Sequence, residues 1–312
     1  DAEVYYGTDY EEDIYLGYAY WETYYYEYYR SLVAAGDTQA AEKANEWWEQ
    51  NVTFPFGYGL SYTSFSFNIE EDEIYATGNN GVVSGFQLDS DLEELFASEE
   101  GSPAQVKTLY IPVTVTNEGN VAGKEVVEIY VTAPYDVETA PLEKSFVTLV
   151  GYAKTDELAS GQSQTVYVQV NVQDMASFDY NDKNGAGGTG YELDAGEYTI
   201  RAMNTSHIDV ATDVSNTRDA YDEVTFELDS LVELELDDFS DDVATALFSE
   251  EIPEDAYQTA DTDEDHELIY NSIRTSALAA DGTSAMEQLS RATIVSNPLP
   301  NAPTEGDLTF DS

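Results

Sequence analysis

Nearly all of the acid–base chemistry open to this sequence is carboxylate chemistry: 63 Asp and Glu stand against 11 Lys and Arg, two His and no Cys. Catalysis by carboxyl groups needs two of them at a fixed separation in unlike surroundings. Acids are spread over the whole chain, so spacing alone singles out no pair, and no catalytic residue is assigned. The lack of Cys removes disulfides, thiol nucleophiles and thiolate-bound zinc. His207 and His266 lie far apart in no zinc-type spacing, and each reads as a surface residue rather than a ligand. There is no Gly-x-Ser-x-Gly elbow and no phosphate-cradling glycine loop. Asp261-Thr262-Asp263-Glu264-Asp265 begins like a calcium loop, but His266 replaces the required Gly and Ser272 the closing Glu. A solvated loop is the expectation there. Asp179-Tyr180-Asn181-Asp182-Lys183-Asn184-Gly185 is a second acidic loop in which bound calcium is the alternative to a solvated loop, and no cofactor or metal ligand is assigned.

The other residues able to recognise a ligand are aromatic. Tyr24, Tyr25, Tyr26, Tyr28 and Tyr29 form one cluster, and Trp47 and Trp48 follow. A tyrosine-rich helix ordinarily packs on a neighbour; a platform for stacking sugar rings is the functional alternative. The candidate carbohydrate or interface aromatics are Tyr24, Tyr28, Trp47, Tyr58 and Tyr62.

The elements that must position these residues can be read from periodicity. Residues 22–50 are helical in pattern, rich in Ala and interrupted at Gly36-Asp37. Phe54-Pro55-Phe56-Gly57-Tyr58-Gly59-Leu60-Ser61-Tyr62-Thr63 is a tight turn leading into a strand in which Thr63, Phe65 and Phe67 alternate with polar residues. Residues 69–103 read as a hairpin followed by an acidic loop or short helix. From Lys107 a series of period-two strands begins: Leu109, Ile111, Val113 and Val115; Val127, Ile129 and Val131; Val147 and Leu149 with Gly151; Val166, Val168 and Val170; Tyr198, Ile200 and Ala202. Turn signals separate them, which predicts an antiparallel sandwich. Beyond residue 213 the chain becomes acidic, with possible short helices at 241–249 and 261–280 and a proline-rich end at 298–303. The expected division is 1–67, 68–213 and 214–312.

The formal net charge of −52 repels nucleic acid and anionic membranes, so neither is expected as a partner. Its ordinary meaning is a solvated acidic coat. No apolar run approaches a membrane span. The first residue is Asp and no signal-peptide pattern is visible, so a processed chain or a piece of a longer one is expected.

Several ordered motifs carry a resemblance. Glu12-Asp13-Ile14-Tyr15-Leu16-Gly17-Tyr18-Ala19-Tyr20-Trp21-Glu22-Thr23 resembles the late part of the α/β-sandwich domain of family 3 glycoside hydrolases, although the family usually has Arg where Ala19 stands. Phe54–Thr63 is similar to the marker that ends that domain. Thr116–Val127 resembles the first strand turn of the fibronectin type III-like domain that follows, and Leu193–Ile200 its last hairpin. Met286–Arg291 resembles the entry to the barrel domain in permuted members. The resemblance covers residues 10–210. It implies a mainly β chain: a fibronectin type III-like (immunoglobulin-like) antiparallel β-sandwich, a partial α/β N-terminal segment, and an irregular or helical acidic C-terminal tail. It also implies a parent that hydrolyses terminal β-linked glucosyl residues with two carboxyl groups. The family nucleophile is an Asp in a Ser-Asp-Trp type motif of the barrel, and this chain has no Asp-Trp pair. The acid/base is expected ahead of residue 1. The chain is thus expected to be inactive alone and to partner the remainder of the parent enzyme, whose substrate is a carbohydrate. Two other roles stay open: self-association into a ring or filament, and carbohydrate binding. An extracellular location is expected, with the cytoplasm left open.

Overall fold

The computed structural model describes residues 12–78, 80–88, 96, 106–136, 139–179, 190–210, 221–234 and 289–296. The possible helices at 241–249 and 261–280, the acidic run 261–265 with His266, residues 180–185 and the proline-rich end lie outside them.

The helical pattern becomes two helices, α1 (Tyr18–Ala34) and α2 (Ala40–Asn51), broken at Gly36, whose φ of 75° suits glycine. Among the described residues twelve strands follow, all paired antiparallel: β1 (Phe65–Ile69), β2 (Tyr75–Gly78), β3 (Gly81–Val82), β4 (Val106–Asn117), β5 (Val126–Thr132), β6 (Thr148–Lys154), β7 (Ser163–Asn171), β8 (Ser177–Asp179), β9 (Gly190–Leu193), β10 (Gly196–Met203), β11 (Tyr221–Leu228) and β12 (Val232–Leu234).

The first sheet is organised by β4. One of its edges carries β1 and then β2, and the other carries β7 along nearly its whole length. The second sheet runs β11-β10-β5-β6, and a small third sheet runs β12-β9-β8. Alternation does what its period requires. Leu109, Ile111, Val113 and Val115 of β4 are fully buried, and with Val166, Val168 and Val170 of β7 they face Val127, Ile129, Tyr198, Ile200 and Phe226 of the second sheet. Tyr198 and Phe226 stack there with centroids 5.0 Å apart. The two sheets come so close at one edge that a Cβ on Gly151 would lie 2.4 Å from the Gln169 carbonyl oxygen.

Asn117 closes the corner between β4 and β5. Its amide donates to the carbonyls of Val121 and Leu158, both at 2.8 Å, and its Oδ1 accepts from the Gly119 amide at 3.0 Å and the Thr63 hydroxyl at 2.5 Å. The motif that suggested a strand turn is thus a buried side chain with every polar site filled.

The sandwich does not stop at 213. β11 pairs with β10 from Gly196↔Leu228 to Met203↔Tyr221 and buries Val224, Phe226 and Leu228. Its outward Glu223 and Glu227, with Asp222 at its start, made this strand read as acidic tail. Likewise Phe65 and Phe67, placed before the boundary at 67, belong to β1 and pair with β4.

The helices occupy a third layer. Tyr18 and Tyr26 of α1 pack on Tyr130 of β5 and Met203 of β10, side chains on the outer face of the second sheet. Tyr26 stacks on Phe146 at 3.7 Å, and Tyr18 meets Tyr130 edge-on at 6.0 Å. Among the described residues no helix is long and apolar enough to cross a membrane.

Candidate functional site

The densest chemistry lies where α1 meets the sandwich. Glu22, on the packed face of α1, is 1% exposed. A carboxylate taken out of water has to be compensated by donors. The Ser206 hydroxyl donates to its Oε1 at 2.7 Å, and Nδ1 of His207 lies 3.0 Å from its Oε2. His207 lies flat on Trp48 of α2, 3.7 Å away, and meets Tyr25 edge-on at 4.8 Å. The expectation that His207 is a surface residue is corrected: it is held between two aromatic rings and a carboxylate just beyond β10, in a packing that no local pattern announces.

Around this centre, α1 side chains satisfy backbone groups that no strand reaches. The Thr23 hydroxyl accepts from the Phe146 amide, the Tyr18 phenol from Leu149 and the Tyr25 phenol from Val210, each at 2.9 Å. Tyr25 also donates to Asn45, whose amide donates to Asp209 at 2.7 Å, so α2 joins the same network. Burial pushes the Tyr18 and Tyr25 phenols above the usual tyrosine range, which keeps them protonated.

The turn after α2 is tied to the same place. The Ser206 amide donates to the Phe56 carbonyl at 2.9 Å. Gly57 has φ 81°, and a Cβ there would lie 2.4 Å from Glu128 Oε2 and 2.8 Å from the Asn204 carbonyl oxygen, so only glycine lets the turn sit this close. Past Gly57 the loop leaves the body: Leu60 is 91% and Tyr62 96% exposed.

A second anchor comes from the far end of the chain. Leu289 and Ile294 bury against Tyr15 and Tyr20. The guanidinium of Arg291, also buried, donates to the carbonyls of Tyr135 (2.8 Å), Leu142 (3.0 Å) and Ala140, and lies 5.0 Å over the Tyr135 ring. Glu143 Oε2 accepts both the Arg291 amide, at 3.1 Å, and the Tyr15 phenol, at 2.7 Å. Beside them Lys144 and Asp194 form a buried ion pair, in which burial lowers the lysine pKa and the aspartate opposes that shift.

The five aromatics expected to form a site divide into two groups. Tyr24, Tyr28 and Trp47 come together, half-buried, with Tyr24 stacked on Trp47 at 4.2 Å and Tyr28 tilted 6.3 Å from each. They fill one another's faces rather than presenting a flat platform. Tyr58 and Tyr62 lie in the exposed loop instead, with Tyr58 stacked on Phe54 at 4.7 Å. Among the described residues no cluster of three His, Asp or Glu side chains could hold a metal ion. Asn51-Val52-Thr53 and Asn204-Thr205-Ser206 fit the Asn-x-Ser/Thr glycosylation pattern; the second ends in Ser206, which is fully buried, whereas Asn51 is exposed. Sequence reading passed over Glu22, Ser206 and Arg291. Ser206 lies four residues after the strand motif Tyr198–Ala202, but nothing local marks Glu22 or Arg291 as buried.

The second and first sheets, with their corner and closing hairpin, define a fibronectin type III-like sandwich, and residues 125–206 match the family described as "Fibronectin type III-like domain". Over 211 residues the chain is 35% identical to β-glucosidase A of Butyrivibrio fibrisolvens, a match that takes in 68% of this chain and 19% of that protein. It is 32% identical over 193 residues to a β-glucosidase of Ruminococcus albus, covering 62% of this chain and 14% of that one. A solved β-glucosidase from Paenibacillus barengoltzii aligns with 29% identity and a TM-score of 0.46, over 72% of this chain and 18% of that one. The family match and the two sequence relatives relate the chain to the Fn3-bearing region of family 3 β-glucosidases, and it spans a fifth or less of the length of those relatives.

Two outcomes are expected. Glu22→Ala strands Ser206 and His207 and should lower unfolding free energy by about 2–4 kcal/mol, whereas Glu22→Gln keeps the serine bond and should cost less than half as much, both read by urea denaturation. Glu128 behaves in the opposite sense. Burial raises its carboxyl pKa above the ordinary value of 4.5, against the hydrogen bond from Tyr130. Between its unfolded and native pKa values the native state holds a proton that the unfolded chain has lost, and above both the buried, ionised side chain costs stability. Glu128→Gln, which still accepts from Tyr130, should melt higher than wild type at pH 7, and the difference should vanish as pH falls below 4.5.

Proposed function

We propose that the chain is a non-catalytic bracing part of a family 3-like glycoside hydrolase whose parent activity releases terminal β-linked glucosyl residues. The observation that carries this reading is the seam. Helices resembling the end of a catalytic α/β domain are locked to the fibronectin-like sandwich through Glu22, Thr23, Tyr18 and Tyr25, so the sandwich fixes the orientation of whatever those helices support. The names of the relatives supply the parent chemistry. The protruding apolar loop that ends at Tyr62, together with exposed Ile14 and Leu16, provides the contact surface for the remaining catalytic domains. On this reading Tyr58 and Tyr62 are interface aromatics, and Tyr24, Tyr28 and Trp47 hold α1 to α2.

The same exposed apolar loop favours a second reading, in which copies of the chain cover it by associating with one another. One pair of measurements separates the two. The purified 312-residue chain should release no phenol from an aryl β-glucoside and should sediment as a monomer, while a longer polypeptide that adds the catalytic domains hydrolyses the same substrate. Turnover by the short chain overturns the bracing role, and concentration-dependent growth into rings or filaments moves the assignment to an assembly protein.

A further inference from the structure

The charge of this protein is unevenly distributed in a way that points to a ligand. The chain carries a formal net charge of −52, yet the outer face of the first sheet has none. Every outward position of β1, β2 and β7, and of β4 from Thr108 to Thr116, is Ser, Thr, Asn, Gln, Tyr or Pro. The second sheet provides an internal comparison. Its outer face is covered by α1 at Tyr130 and Met203, and beyond the helix it carries Glu197, Arg201, Glu223 and Glu227. A solubilising coat would put acids on both faces. The strand positions of one face lack them, and acids return beside those strands, where Glu70, Glu118 and Asp174 accept hydrogen bonds from Thr114, Ser66 and Asn171.

Three tyrosines cross this neutral face. Tyr75 of β2 stacks on its register partner Tyr110 of β4, with centroids 4.7 Å apart and planes 3° from parallel. Tyr167 of β7 leans toward Tyr75 at 6.2 Å and 57°, and is 52% exposed. Gln169 pairs with Tyr110, and Asn171 with Thr108, so amides and hydroxyls flank the rings along the strand direction. Nine residues of β7 make a track roughly 30 Å long. A protein-binding patch would have an apolar centre enriched in Met, Arg and large aromatics within a polar rim. Here aromatic rings alternate with uncharged donors and acceptors, which suits a ligand with apolar faces and many hydroxyls.

We infer that the outer face of the β1-β4-β2 and β7 sheet binds a neutral polysaccharide, with Tyr167 stacking on a pyranose ring and Tyr110, Gln169 and Asn171 donating and accepting hydrogen bonds beside it. The site would hold polymer on the side of the sandwich opposite the helices. It is independent of the bracing role, because binding is read without any catalytic domain.

The test is affinity electrophoresis of the full chain through native gels containing barley mixed-linkage β-glucan, xyloglucan, galactomannan or soluble starch, with polygalacturonate as the acidic comparison. Retardation is expected in at least one neutral polymer and none in polygalacturonate. Tyr167→Ala should weaken retention about 3–10-fold, the loss of one stacking contact, with an unchanged melting temperature. Tyr152→Ala, which removes an exposed tyrosine from β6 in the second sheet, should bind like wild type. Equal migration with and without every neutral polymer overturns the inference, as does equal weakening by both variants. A change in sedimentation coefficient on Tyr167→Ala without any retardation of wild type assigns the face to contact between copies instead.

Discussion

A carboxylate removed from water must be met by donors inside the protein, and at Glu22 those donors come from a different layer of the structure. Ser206 and His207 follow directly after β10, so the helix carrying Glu22 can satisfy its charge only when seated on the sandwich. That requirement sets the rest of the geometry. With α1 seated, Thr23, Tyr18 and Tyr25 fall opposite backbone amides of the 146–149 and 210 segments, and Trp48 of α2 closes over the imidazole. Buried polar contacts of this kind add little net free energy compared with an apolar seam, but they tolerate one arrangement and penalise every other. That suits the bracing role proposed for it.

Arg291 repeats the principle at the other end of the chain. Its guanidinium takes up three carbonyls of the 135–142 segment, and Glu143 beneath it also receives Tyr15 from the start of the helical unit. The approach of α1 and the returning segment therefore share one acceptor. The apolar loop past Gly57 leads away from this locked body and offers its side chains outward. Rigid seam and protruding loop are the two features on which the proposed bracing role rests.

Much of the sandwich was legible because buried strands advertise themselves by alternation. Leu109 to Val115 and Val166 to Val170 are buried at every second residue, as their sequence states. β11 was missed for a physical reason: acids on its solvent positions hide an otherwise equivalent alternation of Val224, Phe226 and Leu228. The seam was not legible, because its pairs are separated by well over a hundred residues and nothing local distinguishes Glu22 from 62 other acids, the remainder of the 63. The aromatic residues were visible as a class but not as an arrangement. Tyr24 and Trp47 lie on different helices, and only their packing reveals that they face each other.

Backbone amide hydrogen exchange tests the seam most directly. The amides of Phe146, Leu149, Ser206 and Val210 lie outside regular strand ladders or at their margins, and are held by acceptors in the helical unit and its following turn. If helices and sandwich form one locked body, these four should exchange as slowly as Ile111 and Val168 in the centre of the first sheet, and should become fast together in Glu22→Ala. Exchange at loop rates in the wild-type chain, beside slow Ile111 and Val168, would mean that the helices are not held to the sandwich and would contradict the account.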